Sequence, residues 1–512
     1  VNFARDLVDR RDPGELALLE LARDGARREW TFGEVAERAA RLAGSLQRRG
    51  IGRGDVVMTL IGNRPEWVLT MVACFRIGAV VLPCTEQLRA KDLRLRIELA
   101  DPKLIVTDER NREELHAACV GRGQAVAGAR RDSDAAGPGE IDVVCVPDED
   151  LFAARPAAAV ELQDADPCLI TFTSGTAGEP KAVVHGQRYL FGQRLQAEHW
   201  LGASPGELVW CTAASGWSKS ARNVFIAPWL SGAASLLHDA RFDPQERLEL
   251  LERERVRVLC MAPTEYRVIA KRASLRALPH LRGMVAAGEA LNPEVLRAWR
   301  EVTGLEIRDG YGQTETGQLT GSPLDEASRA GSMGRPLPGV GMMVKNAELT
   351  VNPATVPTFF LGYLHEHVRR DEKGAWLVED RRCGGPWHTG DRVAEDGDGW
   401  LYFEGRNDDV IVSAGYRIGP FEVESALVAH PAVAEAAAVA APDEERGAVV
   451  RAVVVLRDGG YTPSPELVRE LQEHVKRETA PYKYPRIVDF AEELPKTASG
   501  KIKRAELRRA GS

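Results

Sequence analysis

Short apolar stretches that run into glycine-bearing loops recur along this chain, and that punctuation restricts the folds open to it. VRVLCMA (256–262), RGMVAAGEAL (282–291) and LEIRDGYGQTE (305–315) each read as a buried strand ending in a loop. Helical patterns alternate with them. TFGEVAERAARLAGSLQRRG opens with a capping box of Thr31 and Glu34, sets Val35, Ala39, Leu42 and Leu46 on one face, and stops at Gly50. The strand DVVMTLI (55–61) follows at once. Such alternation specifies α/β layering, in which ligands gather at loops leaving the carboxyl ends of strands.

A chain of 512 residues exceeds one ordinary core, so two or more domains are expected. A boundary falls near EGRNDDVIVSAGYRIGP (404–420), where a fresh helix and strand pattern begins; this divides the chain into 1–404 and 405–512. GQAVAGARRDSDAAGPGE (123–140) reads as a surface connection. No apolar run approaches the length of a membrane span, and VNFARDLVDRRDPGE lacks the order of a secretory signal, so a cytoplasmic protein is expected. The net charge of −8 argues against a general nucleic-acid binder. Eight cysteines without CxxC spacing are expected to be buried thiols rather than a metal or disulfide framework.

The densest chemistry lies in TFTSGTAGEPK (171–181). Its glycines free backbone N–H groups to face an oxyanion, while hydroxyls and Lys181 add donors; a phosphate suits that set. Glu-Pro before the lysine excludes a Walker A loop. The segment resembles the phosphate loop of the adenylate-forming superfamily, which includes acyl-CoA synthetases, luciferases and adenylation domains. Ala177 departs from the usual threonine or serine, so a weaker grip on pyrophosphate is expected.

Further segments similar to that superfamily follow in order. AAGEAL (286–291) resembles its adenine-side loop and DGYGQTETG (309–317) the segment packed on adenine. The resemblance implies ATP or AMP contacts from Thr173, Ser174, Gly175, Thr176, Gly178, Lys181, Gly288, Glu289, Ala290, Asp309, Gly310, Tyr311, Gly312 and Gln313. Thr314 would contact the α-phosphate and Glu315 would hold Mg²⁺, a hard cation suited to oxygen donors. WHTGD supplies Asp391 for both ribose hydroxyls, and GRNDD supplies Arg406 as a second ribose or phosphate contact and Asp408 at the hinge. LPKTASGKIKR supplies Lys501, the mobile catalytic lysine.

The implied architecture is α/β: a large N-terminal domain of layered α/β subdomains plus a β-barrel-like subdomain, with a small mobile α+β C-terminal domain. The implied reaction is AMP-forming ligation of a carboxylic acid to coenzyme A through an acyl-adenylate. Lys501 would serve adenylation. Rotation at Asp408 would then bring in SAGYRIG, with Ser413, Gly415, Tyr416 and Arg417 lining the coenzyme A path. The basic cluster Lys476, Arg477, Lys483 and Arg486 is a candidate dock for the nucleotide end of coenzyme A.

Within the superfamily the chain is most similar to medium-chain acyl-CoA synthetases, on ASGWSKSARNVFIAPWLSGA (214–233) and on the segments around Asp391, Ser413 and Lys501. Trp217, Gly288 and Gly312 would line the acyl pocket, for a medium-chain, short branched or aryl acid. Two other readings stay open: transfer of the acyl group to an amine or a separate carrier protein, and a non-catalytic nucleotide-binding relative. A monomer or homodimer acting on free small molecules is expected.

Overall fold

The computed structural model describes residues 1–119, 141–173, 180–288, 291, 293–413, 416–457, 460–497 and 500–510. The surface connection expected at 123–140 lies outside them, apart from the description of its flanks. Two seven-stranded sheets dominate the structure. The first runs, from edge to edge, through Gly362–Tyr363, Ala182–Gly186, Pro167–Phe172, Val80–Cys84, Val56–Leu60, Leu104–Asp108 and Asp142–Val146. The second runs through Ile307–Gly310, Gly283–Ala287, Val258–Met261, Leu208–Cys211, Ala234–His238, Leu16–Leu21 and Arg27–Thr31.

Both sheets are parallel in their interiors, with antiparallel pairing at edges. Parallel strands covered by helices on both faces need apolar residues throughout, which is why VVMTL at Val56–Leu60 and GMVAA at Gly283–Ala287 are buried end to end. The predicted strands at 55–61, 256–262, 282–291 and 305–315 are present as shorter cores, because their glycine-bearing ends leave the sheet as loops.

The helix Phe32–Arg48 carries the expected capping box: Glu34 N–H donates to Thr31 Oγ1 and Thr31 N–H donates back to Glu34 Oε2. Val35, Ala39, Leu42 and Leu46 are buried with Trp67, Phe225 and Trp229 in one large core. Burying each such aliphatic side chain contributes about 1.5–3 kcal/mol.

A third sheet, Met342–Lys345, Glu348–Val351, Trp387–Glu395 and Leu401–Arg406, is antiparallel and takes the place of the β-barrel-like subdomain. Its last strand reaches Arg406, two residues beyond the expected boundary. A separate apolar core begins at Ile411 and is built from Ile418, Val423, Leu427, Val433, Val454 and Leu471 among others. Helices Pro420–Ala429 and Pro465–Glu478 there cover a three-stranded sheet, an α+β arrangement. Lys271 Nζ donates to the carbonyl of Ala434 at 3.2 Å, joining the two parts. Six of eight cysteines are buried free thiols; Cys145 is half-buried and Cys383 exposed.

Candidate active site

Loops from the carboxyl ends of strands in both large sheets converge on one region. From the first sheet, Pro167–Phe172 leads into the phosphate-loop sequence. The base of that loop is closed by Thr173 N–H donating to the Lys181 carbonyl at 3.0 Å and Lys181 N–H donating to Thr173 Oγ1 at 2.9 Å. Ser174, Gly175, Thr176 and Gly178 lie outside the described residues, as do Glu289, Ala290 and Gly415; of Arg417 only the backbone is described.

From the second sheet, Ile307–Gly310 runs into Tyr311–Glu315. Asp309 is held in low-dielectric surroundings: burial pushes its carboxyl well above the usual range, and the Gly310 N–H that donates to it at 2.8 Å opposes the shift. Two glycines are dictated by packing. A Cβ on Gly310 would lie 2.2 Å from Gln318 Nε2, and one on Gly312 would lie 1.9 Å from the Gly317 carbonyl oxygen.

Asp391 is the centre of the polar network. It sits on Trp387–Glu395, is 3% exposed, and accepts at Oδ2 from the Tyr311 hydroxyl and from Gln313 Nε2 at 2.9 Å. Gln313 is fixed from its other side by Trp387, whose Nε1 donates to Gln313 Oε1 at 3.0 Å. Arg406 NH1 stands 3.5 Å from Oδ1, and Arg406 Nε is 3.3 Å from Asp408. Burial raises the Asp391 pKa; the Tyr311 hydrogen bond, Arg406, Gln313 and Lys501 each oppose that rise. Lys501, 110 residues later in the chain, thus acts electrostatically on Asp391. Oδ2 thus accepts twice from the protein, while Oδ1 is approached by Arg406 among the described residues.

Glu315 is placed by a residue that motif reading missed. The Tyr363 hydroxyl donates to Glu315 Oε1 at 2.8 Å, and Lys181 Nζ stands 4.6 Å from the Tyr363 ring centroid. Tyr363 itself is pinned at the edge of the first sheet opposite Val183. Glu315 Oε2 has no hydrogen bond among the described residues, and no cluster of three metal-ligating side chains occurs among them. A single carboxylate with an open oxygen fits Mg²⁺ of the kind whose remaining ligands are phosphate and water.

Thr314 Oγ1 donates to Ser218 Oγ at 3.4 Å, tying the adenine segment to the loop carrying Trp217. Trp217 is half-buried, unlike the fully buried core tryptophans. Gly288 has φ +105°, and Lys219 Nζ stands 3.4 Å from where its Cβ would be. The sequence signal for Ser218 and Lys219 was their place directly after Trp217.

Among the described residues, no hydrogen bond or ion pair joins the candidate coenzyme A residues to this network. Ser413 pairs with Tyr416, and Tyr416 stacks on Tyr482 with ring centroids 4.4 Å apart, both rings exposed on the C-terminal unit. Lys476, itself paired with Glu473, and Arg486 flank Tyr484, and Lys483 is paired with Glu422.

Residues 7–365 match the family model described as AMP-binding enzyme, and residues 422–501 match the AMP-binding enzyme C-terminal domain. The chain belongs to the AMP-binding enzyme family. A Bacillus subtilis strain 168 protein described as an uncharacterised acyl–CoA ligase is 38% identical across 96% of this chain and 92% of that protein. Mitochondrial acyl-coenzyme A synthetase ACSM3 of Rattus norvegicus is 36% identical across 99% of this chain and 90% of its own. Among solved structures, a benzoate CoA ligase from Burkholderia xenovorans LB400 superposes with TM-score 0.83 at 26% identity, covering 99% of this chain and all of that one. In this chain a large α/β unit is followed by a small α+β unit. No helix among the described residues is long and apolar enough to cross a membrane.

Proposed function

We propose that this ATP-dependent acid–CoA ligase of the AMP-binding enzyme family activates a medium-chain, short branched or aryl carboxylic acid as its acyl-adenylate and passes the acyl group to coenzyme A. The observation that supports this most strongly is the buried Asp391 network, in which Tyr311 and Gln313 hold one carboxylate oxygen and Arg406 stands 3.5 Å from the other.

Joining a carboxylate to the α-phosphorus of ATP brings an anion against a polyanion, so charge must be offset before attack. Lys501 supplies one positive charge, and Thr314 one hydroxyl donor once its bond to Ser218 is exchanged for the phosphate. Glu315, oriented by Tyr363, is the residue to hold Mg²⁺, which when bound would spread phosphate charge. Asp391 Oδ1 accepts from a ribose hydroxyl while Arg406 stands beside it. Positioning and electrostatics carry this step, and no protein nucleophile is required.

For the second step, we place the domain boundary in the segment after Arg406, with Asp408 as hinge. Its ion pair with Arg406 is exposed on the Asp408 side and weak enough to open during rotation. That rotation would withdraw Lys501 and bring the loop between Ser413 and Tyr416 to the acyl-adenylate. Action in the cytoplasm, as a monomer or homodimer, completes this reading.

Pyrophosphate release with acid, ATP and Mg²⁺ alone, followed by thioester formation that requires coenzyme A, is the expected assay outcome. Absence of pyrophosphate across a panel of aliphatic and aryl acids overturns the proposal.

A further inference from the structure

Arg222 is the first residue of the helical stretch formed by Arg222–Ile226 and Ala227–Leu230, just beyond the loop that carries Trp217, Ser218 and Lys219. The residue is 6% exposed, and its guanidinium makes no ion pair among the described residues. Its Nε has no hydrogen-bond partner there. Lys219, one helical turn earlier, likewise has no ion pair or hydrogen bond among the described residues, and its ammonium faces Gly288.

These two cations belong to one interior region. Arg222 lies against the Tyr189 hydroxyl, and its field reaches His185 and Cys260. Lys219 acts on the same Cys260 and on Cys211, its register partner on the adjacent parallel strand. His185 in turn faces the backbone of Thr314, so the region adjoins the proposed site of adenylation. Asn223 accepts from Gln196 Nε2 at 2.9 Å, and Gln196 Oε1 is left without a partner. Glu265, a carboxylate that acts on Cys211, is already engaged by Arg247 at 3.3 Å and by the Thr212 hydroxyl at 2.6 Å.

A guanidinium withdrawn from water without a counter-charge is costly, and native structures pair such groups. Two cations without an ion pair among the described residues exceed what the single reacting carboxylate of a simple acid neutralises. We infer that Arg222 receives a second anionic group of the substrate while Lys219 stands at the reacting end, making the preferred acid a dicarboxylic one, with an alkyl or aryl spacer. This rests on the ligase reading above and narrows its substrate class. A plain monoacid leaves the guanidinium unpaired in the complex, and a site built for a charged group discriminates strongly against analogues lacking it.

The test compares monocarboxylic acids with α,ω-dicarboxylic and benzene dicarboxylic acids of matched size, by pyrophosphate release from the full chain with ATP and Mg²⁺. The expected result is a kcat/KM at least about thirtyfold higher for a dicarboxylic acid than for its matched monoacid. In Arg222→Met that ratio falls to near one, chiefly through KM for the diacid; Arg222→Lys restores part of it. Should Arg222→Met fail to melt cooperatively, Arg222→Gln carries the same comparison. A wild-type preference for monoacids, or a ratio unchanged on removing the guanidinium, overturns this inference while leaving the ligase reading intact. Pyrophosphate from no acid at all overturns both.

Discussion

Tyr363 donates its hydroxyl to Oε1 of Glu315 at 2.8 Å, linking the edge of the first large sheet to the loop at the end of the second. Burial, and after it the Glu315 charge, pushes the Tyr363 pKa up, so the phenol stays a donor at any working pH. The carboxylate is therefore oriented by an uncharged group that leaves its negative charge intact for a cation.

Tyr363→Phe removes that one bond to a charged acceptor. A loss of about 1.5–3 kcal/mol in orientation is expected, seen as a ten- to hundredfold higher Mg²⁺ requirement for adenylation. Titrating pyrophosphate release against Mg²⁺ measures it; an unchanged midpoint removes Tyr363 from the site.

Lys501→Ala should lower adenylate formation at least about a hundredfold, through loss of about 3 kcal/mol of transition-state stabilisation. Conversion of supplied acyl-AMP to the thioester should persist at near wild-type rate. Equal loss of both half-reactions refutes their division between two domain orientations.

Asp391→Asn carries opposite effects on stability and binding. Because burial raises the Asp391 pKa above its unfolded value, the ionised form disfavours the folded state above that pKa, and the cost falls away as pH drops through it. The amide should therefore leave stability at pH 7–8 unchanged or raised. It should also weaken the ATP-dependent kcat/KM by about tenfold or more through the altered acceptor. Denaturant melts and ATP titrations read the two effects separately.

His185 sets an acid limit. Burial, then Arg222, depresses its pKa to about 3. The folded state therefore binds fewer protons than the unfolded one below about pH 6.5, and stability falls as pH drops from there toward 3. At pH 5 the loss from this residue is about 2 kcal/mol. His238, depressed to about 4 by burial and then by Arg247, acts in the same direction. Unfolding by urea at pH 7.5 and pH 5.0 tests the slope, which His185→Gln should reduce.

Gly216 and Gly206 separate backbone conformation from contact. Both have positive φ, +91° and +78°, yet a Cβ on Gly216 would lie 2.2 Å from the Thr85 nitrogen whereas one on Gly206 meets nothing within 4 Å. Gly206→Ala should cost about 1 kcal/mol and Gly216→Ala at least about 2 kcal/mol. The latter should also raise KM for the acid, because the loop bearing Trp217 must move. Similar losses for both would show that contact at Gly216 is unimportant.

What the sequence by itself determined is the local grammar and the chemistry attached to it. Strand cores and the Thr31–Glu34 cap follow from hydrophobic period and side-chain reach over a few residues, and the motif segments named Asp391, Glu315 and Lys501 as candidates. Only tertiary structure decided how those groups are held: Tyr311 and Gln313 occupying one oxygen of Asp391, Tyr363 steering Glu315, Ser218 meeting Thr314, and Arg222 buried without a carboxylate partner among the described residues. Those pairings join residues some 50 to 100 positions apart, and no local period or turn signal encodes them. They arise because two sheets and a third antiparallel one pack so that loop ends meet, which makes the partners of a buried charge a property of the packed molecule.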